Sequence, residues 1–159
     1  MPSQVIEVLL DSTYVLPSFG IGLEGLSDDD LFKLREAKLK GRIRFYCLSV
    51  IWVEIIGKVC KEKEKSGENV GKIINLAIRS LMESGFYEWL TPSPEAIRLA
   101  FELRMLGHRD NIDNLLYATS LDKRFFLLTM DVDLERFLER NNFKTDNLID
   151  HKELLKKIK

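Results

Sequence analysis

Four carboxylates stand where the surrounding sequence invites binding chemistry: Asp11, Glu54, Asp113 and Asp131. Asp11 directly follows the apolar run VIEVLL, and Asp131 lies two residues beyond FFLLT. Asp113 opens the segment DNLLYATSL, and Glu54 is set among Val50, Ile51, Trp52, Val53, Ile55 and Ile56. The three aspartates each precede a helical segment, where Asp is a favoured N-cap, so capping competes with ligation for them. Glu54 has no such alternative. It occupies either a narrow exposed stripe or a buried position, where an unpaired carboxylate costs several kcal/mol. A metal ion or an arginine offsets that cost. Several carboxylates in one cleft raise each other's pKa, and a divalent cation relieves the repulsion. Mg2+ prefers oxygen ligands and keeps several waters. Two such ions roughly 3.5–4 Å apart hold an attacking water and a leaving oxygen in line across a phosphodiester. Acids without His or Cys partners therefore point to phosphoryl chemistry rather than zinc hydrolysis.

The elements that must position these acids alternate along the chain. Gln4 to Leu10 reads as a buried strand ending at Asp11-Ser12-Thr13. Asp28, Asp29 and Asp30 open a charged helix to about Lys40, with Lys38 and Lys40 near its C-terminus as the helix dipole prefers, and Gly41 stops it. Ile43 to Leu48 is a second strand, and Ser49 caps the helix VIWVEIIGKV, whose tail from Lys61 to Lys65 is a solvated charge run. A further helix begins at Asn69 and ends at Gly85. Phe86 to Leu90 is a third strand, and Pro94 takes the first position of a helix that Gly107 closes. Asp110 to Asp113 opens the next helix, Phe125 to Thr129 is a fourth strand, and Asp131 starts a helix to about Asn141. Asn147 to Ile149 forms a short fifth strand before a basic terminal helix. Strands that are continuous apolar runs, alternating with helices, specify an α/β fold with a parallel sheet covered on both faces. In such sheets ligands bind beyond the carboxyl ends of the strands, where strand order reverses. Asp11 and Asp131 lie at such ends.

The 159 residues suit one domain, residues 1–159, with no repeat or linker. The 45% hydrophobic and 31% charged composition is that of an ordinary globular protein. With a net charge of -1 no overall attraction to nucleic acid is expected, and any RNA or DNA binding must come from a local basic patch. Cys47 and Cys60 form no Cys-x-x-Cys pair and read as two small buried thiols in a reducing compartment. The N-terminal segment has no basic region and too short an apolar run for a signal peptide. No stretch spans a bilayer, and the expected location is cytoplasmic.

Four places, taken in order, resemble the PIN domain family, whose bacterial and archaeal members include VapC-type toxins. LLDSTYVL resembles the family's strand ending in an acid followed by Ser or Thr; SVIWVEIIGKV its apolar helix carrying a Glu. IDNLLYATSL is similar to its Asp-x-x-(apolar)-x-Ala-x-(small) helix, and FLLTMDVDLERF to its strand, Thr-x-Asp and closing Phe. The span from Asp11 to Phe137 covers most of the chain. The resemblance implies a three-layer α/β/α sandwich with a parallel sheet of four or five strands in the order 3-2-1-4-5. It implies that Asp11, Glu54, Asp113 and Asp131 bind Mg2+ or Mn2+ and carry catalysis, with Thr129 supporting them through its hydroxyl. Asp110 and Asp133 rank below the four. The helix from Asp28 to Lys40 and the tail after Asp150 read as additions to a compact toxin.

The implied activity is an endoribonuclease that hydrolyses single-stranded RNA and leaves a 5′-phosphate. An antitoxin partner and a homodimer, formed through apolar residues of the second and third helices, follow from the same resemblance. A PIN-like module that recruits RNA or protein and cuts little is the alternative. A receiver domain would need an acceptor Asp after the third strand, where Thr91-Pro92-Ser93 stands, and an Asp-x-Asp phosphatase would need an acid at Thr13. His108 and Arg109 could meet phosphate, Lys58 and the lysines after it could line a groove, and Trp52, Tyr87 and Trp89 read as core or interface.

Overall fold

The computed structural model describes residues 4–66 and 70–159. Its elements follow one another as β1 (Ile6–Leu10), α1 (Asp28–Leu39), β2 (Ile43–Leu48), α2 (Ile51–Ser66), α3 (Gly71–Met82), β3 (Tyr87–Leu90), α4 (Pro94–Met105), α5 (Asn111–Lys123), β4 (Phe126–Leu128), α6 (Val132–Arg140), β5 (Leu148–Ile149) and α7 (His151–Lys157). Two short 3-10 turns, Ser12–Tyr14 and Leu16–Phe19, follow β1. The expected helix start at Asn69 lies outside the described residues.

The five strands form one parallel sheet in the order β3-β2-β1-β4-β5. Right-handed crossovers, the rule for parallel strands, put α1 to α3 on one face and α4 to α6 on the other. This is the three-layer α/β/α sandwich with the order 3-2-1-4-5. The strands read as apolar runs because helices cover both of their faces: Val8, Leu9, Cys47, Leu48, Leu127 and Leu128 have no exposed surface. Strand order reverses between β1 and β4, which pair from Val8↔Phe126 to Leu10↔Leu128. One backbone bond, Asp11 N to Leu128 O at 3.2 Å, carries the β1–β4 pairing past β1, and another, Thr129 N to Ile149 O at 2.9 Å, carries the β4–β5 pairing past β4. The chain therefore delivers Asp11 and Thr129 side by side at the carboxyl end of the sheet.

Some boundaries differ from expectation. α1 is no insertion: it is the crossover from β1 to β2, packed on β2 and α7. Its three aspartates fill the first turn behind Ser27, which closes a capping box with Asp30. Gly41 ends the connection at φ 74°, a left-handed conformation that favours glycine. β4 is shorter than Phe125–Thr129 because Phe125 N still bonds back to Ser120 O in closing α5. Cys47 is buried as expected, but Cys60 is exposed, since it lies on the solvent side of α2. Trp52 stacks on Trp89 with ring centroids 5.3 Å apart, and Trp89 Nε1 donates to Leu81 O at 2.9 Å. Both rings are packing groups.

The terminal helix is tied to the turn that follows β1. Tyr14 Oη accepts from His151 N at 3.2 Å and lies 3.0 Å from His151 Nδ1, both residues being buried. Asp30 of α1 stands 3.4 Å from the other ring nitrogen. The turn that begins one residue after Asp11 is thus clamped between α1 and α7. Tyr14→Phe strips this clamp of its hydroxyl and leaves buried polar groups unpaired. It should cost about 1–3 kcal/mol of stability in urea denaturation, the usual cost of a buried unsatisfied partner. A loss within error of zero would show that the clamp contributes nothing.

Candidate active site

An open cleft of about 440 Å³ lies at the carboxyl end of the sheet, lined by Asp11, Ser12, Thr13, Leu23, Glu24, Glu54, Lys58, Asp110, Asp113, Met130 and Asp131. All four acids singled out in the sequence reach it, from four different elements. Asp11 comes off β1, Glu54 from the first turn of α2, Asp113 from the first turn of α5, and Asp131 from the N-cap of α6.

Each is fixed by local hydrogen bonding. Asp11 is 9% exposed; its Oδ1 accepts from Thr13 N at 2.9 Å and its carboxylate also takes a bond from the Thr129 side chain. Thr129 Oγ1 in turn accepts from Asp131 N at 3.1 Å, so one hydroxyl joins the ends of β1 and α6. Asp131 caps α6 by accepting from Leu134 N at 3.1 Å, and it is hydrogen-bonded to Asp113 as well. Glu54 Oε1 accepts from Ser12 Oγ at 2.6 Å and from Lys58 Nζ.

Asp113 is not the cap of its helix. Asp110 is, accepting from Asp113 N at 3.0 Å, which frees the Asp113 carboxyl to face the cleft. Asp110, ranked below the four by sequence, is one of three acids with ligand oxygens within 4.8 Å of one another, the others being Glu54 and Asp113. Asp133 instead lies on the outer side of α6 beside Arg136, Glu139 and Arg140. His108 does not enter the cleft: its Nδ1 is 2.7 Å from Asn114 Oδ1 and its ring packs on Phe137. Two further side chains of the cleft carry weaker signals in the sequence: Ser12 belongs to the acid-then-Ser/Thr motif, and Lys58 stands four residues after Glu54 at the head of a run of lysines.

The electrostatics follow from this crowding. Burial pushes the Asp11 carboxyl up from 3.8 to about 6, despite bonds from Thr129 and Thr13 and the charge of Lys58. Asp113 is pushed to about 8, first by burial, then by the charge of Asp110 and of Asp131, to which it donates when protonated. Donors of this kind are hard oxygens throughout, the set that suits Mg2+ or Mn2+ rather than zinc.

No family model matches the chain, and no curated protein does. Among solved structures it is similar to PAE2754 from Pyrobaculum aerophilum, with a TM-score of 0.60 and 17% identity over 98% of each chain. It is also similar to VapBC2 from Rickettsia felis bound to a DNA fragment from their promoter, with a TM-score of 0.58 and 16% identity over 91% of this chain and 96% of that one. At these identities the likeness is one of fold, and that fold is PIN-like.

The shifted acids set a pH dependence. The folded state keeps a proton on Asp113 that the unfolded chain releases at its ordinary value. Folding therefore takes up protons between 3.8 and about 8, and stability falls as pH rises through that interval. With divalent ions chelated, melting temperature should decline across this interval in the wild type, and Asp113→Asn should flatten the decline. Parallel profiles for the two proteins would remove Asp113 as its source.

Proposed function

We propose that the chain, residues 1–159 acting as one domain, is a Mg2+- or Mn2+-dependent endoribonuclease in which Asp11, Glu54, Asp113 and Asp131 hold the metal, with Asp110 beside them. The observation that carries this reading is the convergence of Glu54, Asp110 and Asp113 within 4.8 Å, beside an Asp113 whose carboxyl is held up to about 8. Burial first and the neighbouring charges of Asp110 and Asp131 second make an ionised Asp113 costly there, and a divalent ion would offset both.

When bound, the metal supplies an activated water and neutralises charge on a phosphodiester. The chain's own residues supply the frame. Thr129 and the Thr13 N–H fix Asp11, Ser12 orients Glu54, and the Leu134 N–H pins Asp131. Asp113, held protonated by burial and by the charges of Asp110 and Asp131, would have to lose its proton to hold an ion, so affinity for the ion should rise with pH. Single-stranded RNA suits an open cleft, since its backbone and bases can be splayed into it.

The fold likeness to VapBC2 supports a toxin role, with a DNA-binding antitoxin as partner, in the cytoplasm. No helix of the described residues is long and apolar enough to cross a membrane. Exposed Val53 and Ile56 on α2 and Leu76 and Met82 on α3 are the apolar surface through which two copies would pair. Light scattering reporting a monomer at high concentration would count against that dimer.

Glu54→Gln tests the central claim. Metal-dependent cleavage of single-stranded RNA should fall on the order of 100-fold or more, the loss of a few kcal/mol of charge stabilisation. Mn2+ should raise the melting temperature of the wild type by mass action, and that of the variant less. Equal cleavage and equal thermal shifts would remove Glu54 from the site. RNA binding by the wild type with no metal-dependent cleavage would instead identify a recruitment module.

A further inference from the structure

The cleft is lined by acids on every side and, among the described residues, by a single basic side chain, Lys58. Lys58 stands four residues after Glu54 on α2, and pairs of that spacing on an open helix surface contribute little. This one is built into more than a helix surface. Lys58 Nζ donates to Glu54 Oε1 and also to Ser12 Oγ at 3.1 Å, while Ser12 Oγ donates to the same Glu54 oxygen at 2.6 Å. Ser12 is buried in the turn that follows β1, so the ammonium is gripped from two elements at the mouth of the cleft.

That arrangement occupies one of the two Glu54 oxygens, Oε1. Both lone pairs of Oε1 have donors, and a divalent ion that takes Glu54, even through Oε2, stands against the ammonium already on the same carboxylate. Lys58 can yield, because its side chain is 44% exposed and an ammonium on a four-carbon stem reorients freely. It cannot leave, because it remains anchored on α2 at the rim. An RNA phosphate entering a cleft of carboxylates is repelled by them, and a lysine ammonium is a point charge suited to a phosphate oxygen. Resting on the nuclease reading above, the geometry points to Lys58 as the cleft's exchangeable cation: it holds Glu54 in the metal-free protein, cedes it to the divalent ion, and then binds a non-bridging oxygen of the RNA phosphate.

The test separates exchange from a general field effect. Mn2+ binding is titrated by electron paramagnetic resonance, without RNA, for the wild type, Lys58→Met and Lys61→Met; Lys61 is an exposed lysine of the same helix outside the cleft. Steady-state cleavage of single-stranded RNA is measured for the wild type, Lys58→Met and Lys58→Arg. Lys58→Met should bind Mn2+ roughly fivefold more tightly than the wild type, the scale of one partly exposed ion pair, and Lys61→Met should change it less than about twofold. Lys58→Met should raise KM roughly tenfold with kcat little changed, as expected of a contact made equally in ground and transition states, and Lys58→Arg should recover most of the KM. Lys58→Met affinity for Mn2+ equal to or below that of Lys61→Met overturns the exchange. An unmoved KM overturns the phosphate contact. A wild type that binds no Mn2+ overturns the nuclease reading together with this one, whereas wild-type binding with no Lys58 effect overturns the Lys58 role alone.

Discussion

Carboxylates repel, and this fold brings them together. The β1–β4 ladder runs one residue past β1 to Asp11 and the β4–β5 ladder one residue past β4 to Thr129; the Thr129 side chain bonds the Asp11 carboxylate, with Asp131 two residues on. The first turns of α2 and α5 then lower Glu54 and Asp113 toward the same point. Once the sheet order is set, the acids have nowhere else to go. Burial first, and for Asp113 the neighbouring charges of Asp110 and Asp131 after it, make these carboxyls hold protons: Asp11 rises to about 6 and Asp113 to about 8. Much of the local structure serves to hold this unfavourable grouping in place.

Capping and ligation, which look like rival explanations of an aspartate before a helix, are here divided or combined. Asp110 takes the cap of α5 and releases Asp113 into the cleft. Asp131 does both, capping α6 while bonded to Asp113. Asp11 caps a 3-10 turn of three residues and still lines the cleft. A capped carboxylate is a rigid one, since a backbone N–H fixes its rotamer, and rigidity is what a coordinating group needs. The same logic extends to Ser12 and Thr129, whose hydroxyls join carboxylates from separate elements.

Behind the cleft, the turn after β1 is secured from the far side. Tyr14 meets His151 of α7, and Asp30 of α1 stands against the same imidazole. α1 and α7, which look like additions to a smaller domain, therefore buttress the segment that carries Asp11, Ser12 and Thr13. Removing either would loosen the central strand's exit rather than trim a surface.

Periodicity and breakers in the sequence determine the alternation of strands and helices. Runs rich in apolar residues, such as VIEVLL with its single half-buried Glu7 and FFLLT, are legible because a parallel strand covered on both faces favours them. The acids Asp11 and Asp131 are legible by their place after such runs, and Glu54 by its discord with an apolar helix. Short-range pattern does not reveal which acid caps and which faces the cleft, because Asp110 and Asp113 lie one helical turn apart and the choice depends on what stands opposite each. Nor does it separate Lys58 from the lysines that follow it. That distinction needs Ser12, forty-six residues earlier in the chain, to lie beside the first turns of α2. Likewise Cys60 and Cys47 are chemically alike in sequence, and only the packing of α2 leaves one outside. Local pattern decides the elements and offers candidates; the long-range registers of the sheet decide which candidates meet.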